Sequence, residues 1–166
     1  MNSVSKFTIE PLSNKHDRSG FDCGVDDLNR FIKQYALQNQ KKHFVRTYVC
    51  CAVSEIVGYY SLAFGSVHQE EAPLSLTQGM GKYQVPAIIL GRLAIDKKYQ
   101  GKGFGMALLK DAILRAKQAE QIGGLRVIIV HAKDANAQAF YIKYGFLTSQ
   151  DDPFTLFFPI EFDPID

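Results

Sequence analysis

The sequence predicts a mixed α/β domain, a sheet with helices on both faces. Two observations carry this. The amino-terminal part holds a strand-length run, Phe7–Leu12, and two tightly joined runs that alternate, Phe44–Val53 and Glu55–Phe64, the pattern of antiparallel strands. The middle of the chain then changes period. An apolar run at 87–96, a helical stretch at 103–121 and a second apolar run at 125–132 form a strand–helix–strand unit, whose strands run parallel. With 166 residues, a single domain spanning 1–166 is expected.

The elements come in order. Phe7–Leu12 is the first strand. Asp26 and Asp27 place acids at a helix start, where the dipole favours them. Leu28, Phe31, Ile32, Tyr35 and Ala36 then repeat with helical spacing. The runs 44–53 and 55–64 form a hairpin. A long connection, Gly65–Pro86, carries Pro73, Gly79, Gly81 and Pro86, with room for a short helix around Pro73–Gln78; long loops in compact domains are often functional. Beyond the strand–helix–strand unit, Asp134 caps a helix over 134–144 and Gly145 stops it. Strands near 146–149 and 154–161 close the fold.

Composition narrows the class. The chain is 46% hydrophobic with 12 Phe and 8 Tyr, enough for a real core. No apolar run reaches membrane-spanning length, and no signal-type segment comes after Met1–Lys6. Three cysteines without a signal point to a reducing cytoplasm; Cys50 and Cys51, adjacent in one strand, face opposite sides. His16, His43, His68 and His131 are scattered and zinc spacing is absent, so no metal site is expected; His131, at a strand end, reads as a packed or hydrogen-bonded residue. The net charge of +2 is unevenly spread. Residues 28–54 carry Arg30, Lys33, Lys41, Lys42 and Arg46 with no acid, whereas after Lys143 there are Asp151, Asp152, Glu161, Asp163 and Asp166 with no base. The basic segment fits either a solvated face or a polyanionic partner.

The most informative stretch is Leu90–Leu109. A strand ends at Asp96, the turn Gln100-Gly101-Lys102-Gly103-Phe104-Gly105 comes next, and a long helix begins. Unpaired amides at a helix start, glycines that admit close approach, and the helix dipole together make a cradle for phosphate or pyrophosphate. No window matches G-x-x-x-x-G-K-[ST]. A dinucleotide turn needs G-x-G-x-x-G straight after the strand. Here the spacing is Gly101-x-Gly103-x-Gly105, and Glu120 sits late in the helix instead of at a second strand tip.

Gln100, Gly103 and Gly105 fit the Gln/Arg-x-x-Gly-x-Gly/Ala turn that holds acetyl-coenzyme A in GCN5-related N-acetyltransferases (GNAT). About thirty residues on, Asn136…Ala139-Phe140-Tyr141…Tyr144-Gly145-Phe146 resembles that family's second signature. The chain is most similar to toxins of type II toxin–antitoxin pairs that acetylate the amino acid of charged tRNA. That narrower resemblance rests on Phe21-Asp22-Cys23-Gly24-x3-Leu28-Asn29-x-Phe31, Ala36-Leu37-x-Asn39-Gln40, Arg46-Thr47-Tyr48-Val49 and Gly91-Arg92-Leu93-Ala94-Ile95-Asp96.

The resemblance implies a mainly antiparallel twisted sheet with strands splayed at the cofactor site. It implies that the main chain of Leu93, Ala94 and Ile95 pairs with the pantetheine arm of acetyl-CoA. Backbone amides of Gln100, Gly101, Lys102, Gly103, Phe104, Gly105 and Met106 would hold the pyrophosphate, and Asn136 and Phe140 would flank the coenzyme. Tyr141 would be the catalytic acid. Lys33, Lys41, Lys42, Arg46 and Arg92 are the expected tRNA contacts. A ribbon-helix-helix antitoxin is the expected protein partner, and a homodimer is admitted.

The chemistry itself asks for little. An amine attacks a thioester and a thiolate leaves, so positioning supplies much of the rate, a backbone N–H at the splayed strand stabilises the oxyanion and a tyrosine hydroxyl protonates the sulfur. No Glu or Asp stands in the strand before Asp96. A lysine amine, with pKa about 10.4, needs more help than an α-amine at about 7.7–8.0, so the missing carboxylate leans towards an α-amino substrate; water or Glu55 remains as a base. Three readings stay open: the tRNA-acetylating toxin, an acetyltransferase of a small amine or protein amino terminus, and a silent coenzyme A- or antitoxin-binding module.

Overall fold

The computed structural model describes residues 7–160. The last part of the expected final strand and the acids Glu161, Asp163 and Asp166 lie outside them. Seven strands form one sheet in the order β1-β2-β3-β4-β5-β7-β6: β1 Phe7–Pro11, β2 Arg46–Ala52, β3 Glu55–Val67, β4 Val85–Ile95, β5 Val127–His131, β6 Leu147–Thr148 and β7 Thr155–Pro159. The β1–β2, β2–β3, β5–β7 and β6–β7 pairs are antiparallel and β4–β5 is parallel. Contacts divide the chain into two compact units, each built from two separate segments.

The first unit comprises residues 1–63 and 91–112. Its helix opens as α1, Asp26–Arg30, and continues as α2, Ala36–Lys41. Between them Phe31–Tyr35 forms a π turn. The extra residue rotates the register, so Ala36 is fully buried while Tyr35, expected on the apolar face, is 46% exposed. The apolar faces of α1, α2 and the π turn pack on Val49, Cys51, Ile56, Tyr59 and Ala94. Tyr59 is fully buried, its ring against Phe21 and Phe31, and its hydroxyl donates to Leu28 O at 2.7 Å. Each such ring pair contributes about 0.5–1.5 kcal/mol beyond its area.

On the opposite face Tyr60 donates to Asp111 of α4, Phe104–Glu120. Cys50, fully buried as well, feels that same Asp111, whereas Cys51 belongs to the α1–α2 side. The two thiols face opposite sides, as alternation requires. Burial pushes the Cys50 thiol up to about 11 and the Cys51 thiol up to about 12. Gly58 on β3 leaves room for β4: a Cβ there would lie 2.9 Å from Ala94 O. The expected strand start at Phe44 is displaced to Arg46. His43 adopts φ 64° and Phe44 stands 70% exposed before the strand.

The second unit comprises residues 64–90 and 113–166. Its core is Val67, Ala72, Leu76, Val85, Ala87, Val127, Ile129 and Phe157. The short helix α3, Leu74–Thr77, lies within the expected stretch Pro73–Gln78, with Pro73 at its cap position, and supplies Leu76. The β4–β5 register runs from Ala87↔Val127 to Leu90↔Val130, while β4 continues to Ile95. Helix α5, Ala135–Lys143, starts at Asp134, whose side chain accepts from Ala137 N at 2.8 Å, and stops at Gly145 with φ 98°. Among the described residues no helix is long and apolar enough to cross a membrane.

Candidate functional site

The first unit carries the glycine turn. β4 ends at Ile95, and Asp96, 3% exposed, fixes the residues after it: its carboxylate accepts from Lys98 N at 3.0 Å and Asp22 N at 3.1 Å. Asp96 is thereby held as a cap and is not a free base. A 3₁₀ turn, Lys97–Tyr99, leads to Gln100, whose side-chain amide donates to Ile95 O at 2.9 Å and Cys23 O at 3.0 Å. Gln100 therefore ties the turn to the strand and to the amino-terminal segment.

Gly101 and Gly103 then take φ 74° and 89°, conformations that L side chains rarely adopt, and a Cβ at either would meet nothing within 4 Å. The first hydrogen bond into α4 from the turn is Ala107 N to Gly103 O at 3.1 Å. The amides of Gly103, Phe104, Gly105 and Met106 precede it and have no partner one turn back. Phe104 anchors the helix start, its ring 4.8 Å from that of Phe7 and 5.6 Å from that of Tyr99. The result is open space over a run of amides at the positive end of a seventeen-residue helix, which suits a pyrophosphate. Leu93 and Ile95 are half-buried and Ala94 is buried.

The amino-terminal pattern is a hydrogen-bonded scaffold around this turn. Asp22 accepts from Gly24 N at 2.9 Å and from Asn29 Nδ2 at 3.0 Å, and Asn29 Oδ1 accepts from Cys23 N at 2.8 Å. The Gly24 amide bond, ahead of Asn29 and Lys97, holds the Asp22 carboxyl below its usual range. Gln40 bridges Leu12 O and Thr47 N at 2.8 and 2.9 Å. Lys33, Lys41, Lys42 and Arg46 are all exposed. Arg92 lies apart in character: its guanidinium sits 3.7 Å over the Phe31 ring, half-buried. Glu55 pairs with Lys98 at 3.2 Å. Glu10, His16 and Cys51 bring ligand-type atoms within 4.8 Å of one another, but they form a hydrogen-bonded group. His16 accepts from Ser13 N at 3.0 Å and lies 2.9 Å from Glu10.

The second unit carries Tyr141 on α5. It is 6% exposed, its ring against Phe140 and Phe146 at 5.2 Å each. Burial alone pushes its phenol above the ordinary tyrosine value, so it stays protonated at neutral pH. Phe140 is half-buried between Tyr141 and Tyr144, and Asn136 is exposed in the first turn of the helix. The same unit holds a cavity of about 340 Å³ at the end of β5, with His131 in its wall. The sequence alone gives His131 no chemistry, because its partner Thr155 is remote along the chain.

The acetyltransferase (GNAT) domain family matches residues 43–147, and the chain belongs to that family. It is 41% identical to the tRNA-acetylating toxin of Mycobacterium tuberculosis over 145 residues, 87% of each chain. Among solved structures it is similar to AtaT complexed with acetyl-methionyl-tRNAfMet, with TM-score 0.87 and 30% identity over 92% of this chain and 94% of that one. It is also similar to a mutant AtaT toxin bound to the C-terminus of the antitoxin AtaR and acetyl-CoA, with TM-score 0.79 and 28% identity over 93% and 94%.

Proposed function

We propose that the protein is a cytoplasmic toxin that transfers acetyl from acetyl-CoA to the α-amine of aminoacyl-tRNA and so blocks translation. The observation that carries the cofactor is the turn at Gly101 and Gly103, with positive φ and open space ahead of the amides of α4. The relatives' tRNA and antitoxin complexes support the substrate and the partner. Strand β4 continues past Leu90, its last partner on β5, through Leu93, Ala94 and Ile95, which supports the main-chain reading.

Acetyl-CoA supplies an activated acetyl group when bound. The chain's residues do the rest. The amides of the 100–106 turn bind the diphosphate, and the main chain of Leu93–Ile95 orients the arm. Asn136 and Phe140 border the coenzyme. Tyr141 holds a proton for the leaving sulfur. The exposed cations Lys33, Lys41, Lys42 and Arg46, with Arg92, engage the RNA. We take the whole chain, residues 1–166, as one domain. A ribbon-helix-helix antitoxin neutralises it, and a second copy of the chain is a further partner.

Purified protein incubated with acetyl-CoA and a full set of charged tRNAs, with mass spectrometry of the released aminoacyl-adenosines, tests the proposal. The acetyl group is expected on the esterified amino acid. Unmodified charged tRNA beside an acetylated polyamine or peptide overturns it.

A further inference from the structure

We propose that His131 is the general base of the acyl transfer, its bare Nε2 taking the proton of the acceptor amine in the cavity at the end of β5. The inference deepens the acetyltransferase reading and rests on it. Its starting point is a hydrogen-bonded chain. His131 and Thr155 face each other directly across the β5–β7 pair. His131 Nδ1 lies 3.1 Å from Thr155 Oγ1, and Thr155 Oγ1 lies 3.0 Å from Asp152 Oδ2. A carboxylate only accepts, so the single hydroxyl proton of Thr155 goes to Asp152. The hydroxyl must then accept from His131, which places the imidazole proton on Nδ1. Nε2 is left with a lone pair.

The relay is held from both ends. Asp152 Oδ1 accepts from Phe154 N at 2.9 Å, and Asp152 O from Thr155 N at 3.1 Å. Sheet pairing fixes the imidazole's stem. A carboxylate at the far end orients the ring and stabilises the imidazolium that proton transfer creates. His131 is exposed at the wall of a cavity of about 340 Å³, within the range of ligand pockets. Ile89 and Ile129 give that cavity an apolar floor. Glu71, Asp151 and Asp152 are the charged groups that face His131, from the connection after β3 and the β6–β7 turn, and no Lys or Arg is among the lining residues. Such a lining attracts an amine and accommodates an apolar or small amino-acid side chain beneath it.

The step balances. The amine nitrogen forms a bond to the acetyl carbon and loses a proton to His131 Nε2. The carbon–sulfur bond breaks with its electron pair on sulfur, which takes the Tyr141 hydroxyl proton. The imidazolium then returns its proton through solvent to the tyrosinate, and the net products are the acetylated amine and the free thiol.

Two measurements decide it. Nitrogen NMR of histidine-labelled protein, with the His131→Gln variant for assignment, is expected to show Nδ1 protonated and Nε2 bare; a proton on Nε2 overturns the proposal. Kinetics use whichever acceptor the wild type acetylates, charged tRNA or a polyamine or peptide, so a failed tRNA reading is seen separately. His131→Gln is expected to lower kcat roughly 10²-fold or more, to flatten the acid limb of the pH profile, and to respond to added imidazole. Its acetyl-CoA affinity and Tm should be unchanged. Thr155→Val should lower kcat without changing KM for acetyl-CoA, and Thr155→Ser should restore it. A folded His131→Gln protein with the wild-type rate and pH profile sinks the assignment.

Discussion

Gly103 and Gly79 provide a matched pair for testing the cofactor turn. Gly103 has φ 89° and Gly79 has φ 77°, and a Cβ at either meets nothing within 4 Å. Alanine therefore clashes with nothing at either position and costs only the left-handed backbone strain, about 1–2 kcal/mol. In a chain of this size each kcal/mol lowers Tm by about 2–4 °C, so both variants should melt about 2–8 °C below wild type. They should differ in binding. Gly79 lies in the connection between α3 and β4, away from the turn in sequence. A methyl at Gly103 projects into the space assigned to the diphosphate and removes at least one hydrogen bond to a charged oxygen. Such a bond contributes about 1.5–3 kcal/mol, which is a loss of roughly 10- to 150-fold in affinity. Calorimetric titration with acetyl-CoA, paired with thermal melts, separates the two effects. Equal melting losses with an unchanged Kd for Gly103→Ala would refute the assignment of the turn.

Tyr141→Phe keeps the ring that packs on Phe140 and Phe146; a near-wild-type Tm and acetyl-CoA affinity are expected, with kcat lowered roughly 10²–10⁴-fold, and relief of growth arrest in cells is the matching phenotype. Replacing Lys33, Lys41, Lys42 and Arg46 with Glu should abolish tRNA acetylation, reduce the salt dependence of tRNA binding and spare acetyl-CoA binding, as filter binding across a salt series would reveal. The buried thiols make an alkaline prediction. Burial raises Cys50 to about 11 and Cys51 to about 12, above the value near 8.5 of an unfolded cysteine. The folded state therefore holds these protons while the unfolded state releases them, so their contribution is complete below about pH 8.5 and is lost as pH rises towards 11–12. Melts should show this decline, and a thiol reagent at pH 8 should label Cys50 and Cys51 only in denatured protein.

What could be read in advance was whatever local chemistry dictates. Asp134 and Gly145 bracket α5 as expected, because a side-chain cap and a positive-φ stop are properties of single residues. The glycine turn was equally legible, since its φ values belong to Gly101 and Gly103 themselves. The misses arise where distant atoms decide. The π turn rotates Tyr35 out of the apolar face, and periodicity gives no warning of one inserted residue. Gln100 matches the motif, but the motif does not reveal the partner of its side chain, Cys23 O, seventy-seven residues away. Asp22 and Asn29 belong to the amino-terminal pattern, which likewise does not reveal the hydrogen bond that braces them to each other.

The missing carboxylate shows how such a gap can be closed from another strand. Strand β4 offers no acid before Asp96, and Asp96 is committed to the amides of Lys98 and Asp22. Glu55 is committed to Lys98. In the proposal an imidazole fills the role from β5, a strand that bears no acid of its own. Its orienting carboxylate, Asp152, stays at the exposed β6–β7 turn, one hydroxyl removed. An α-amine, at about 7.7–8.0, needs less help to lose its proton than a lysine near 10.4. An acceptor series of rising amine basicity should therefore show kcat/KM at neutral pH falling as basicity increases. A rate that instead climbs with amine basicity would place the proton transfer elsewhere.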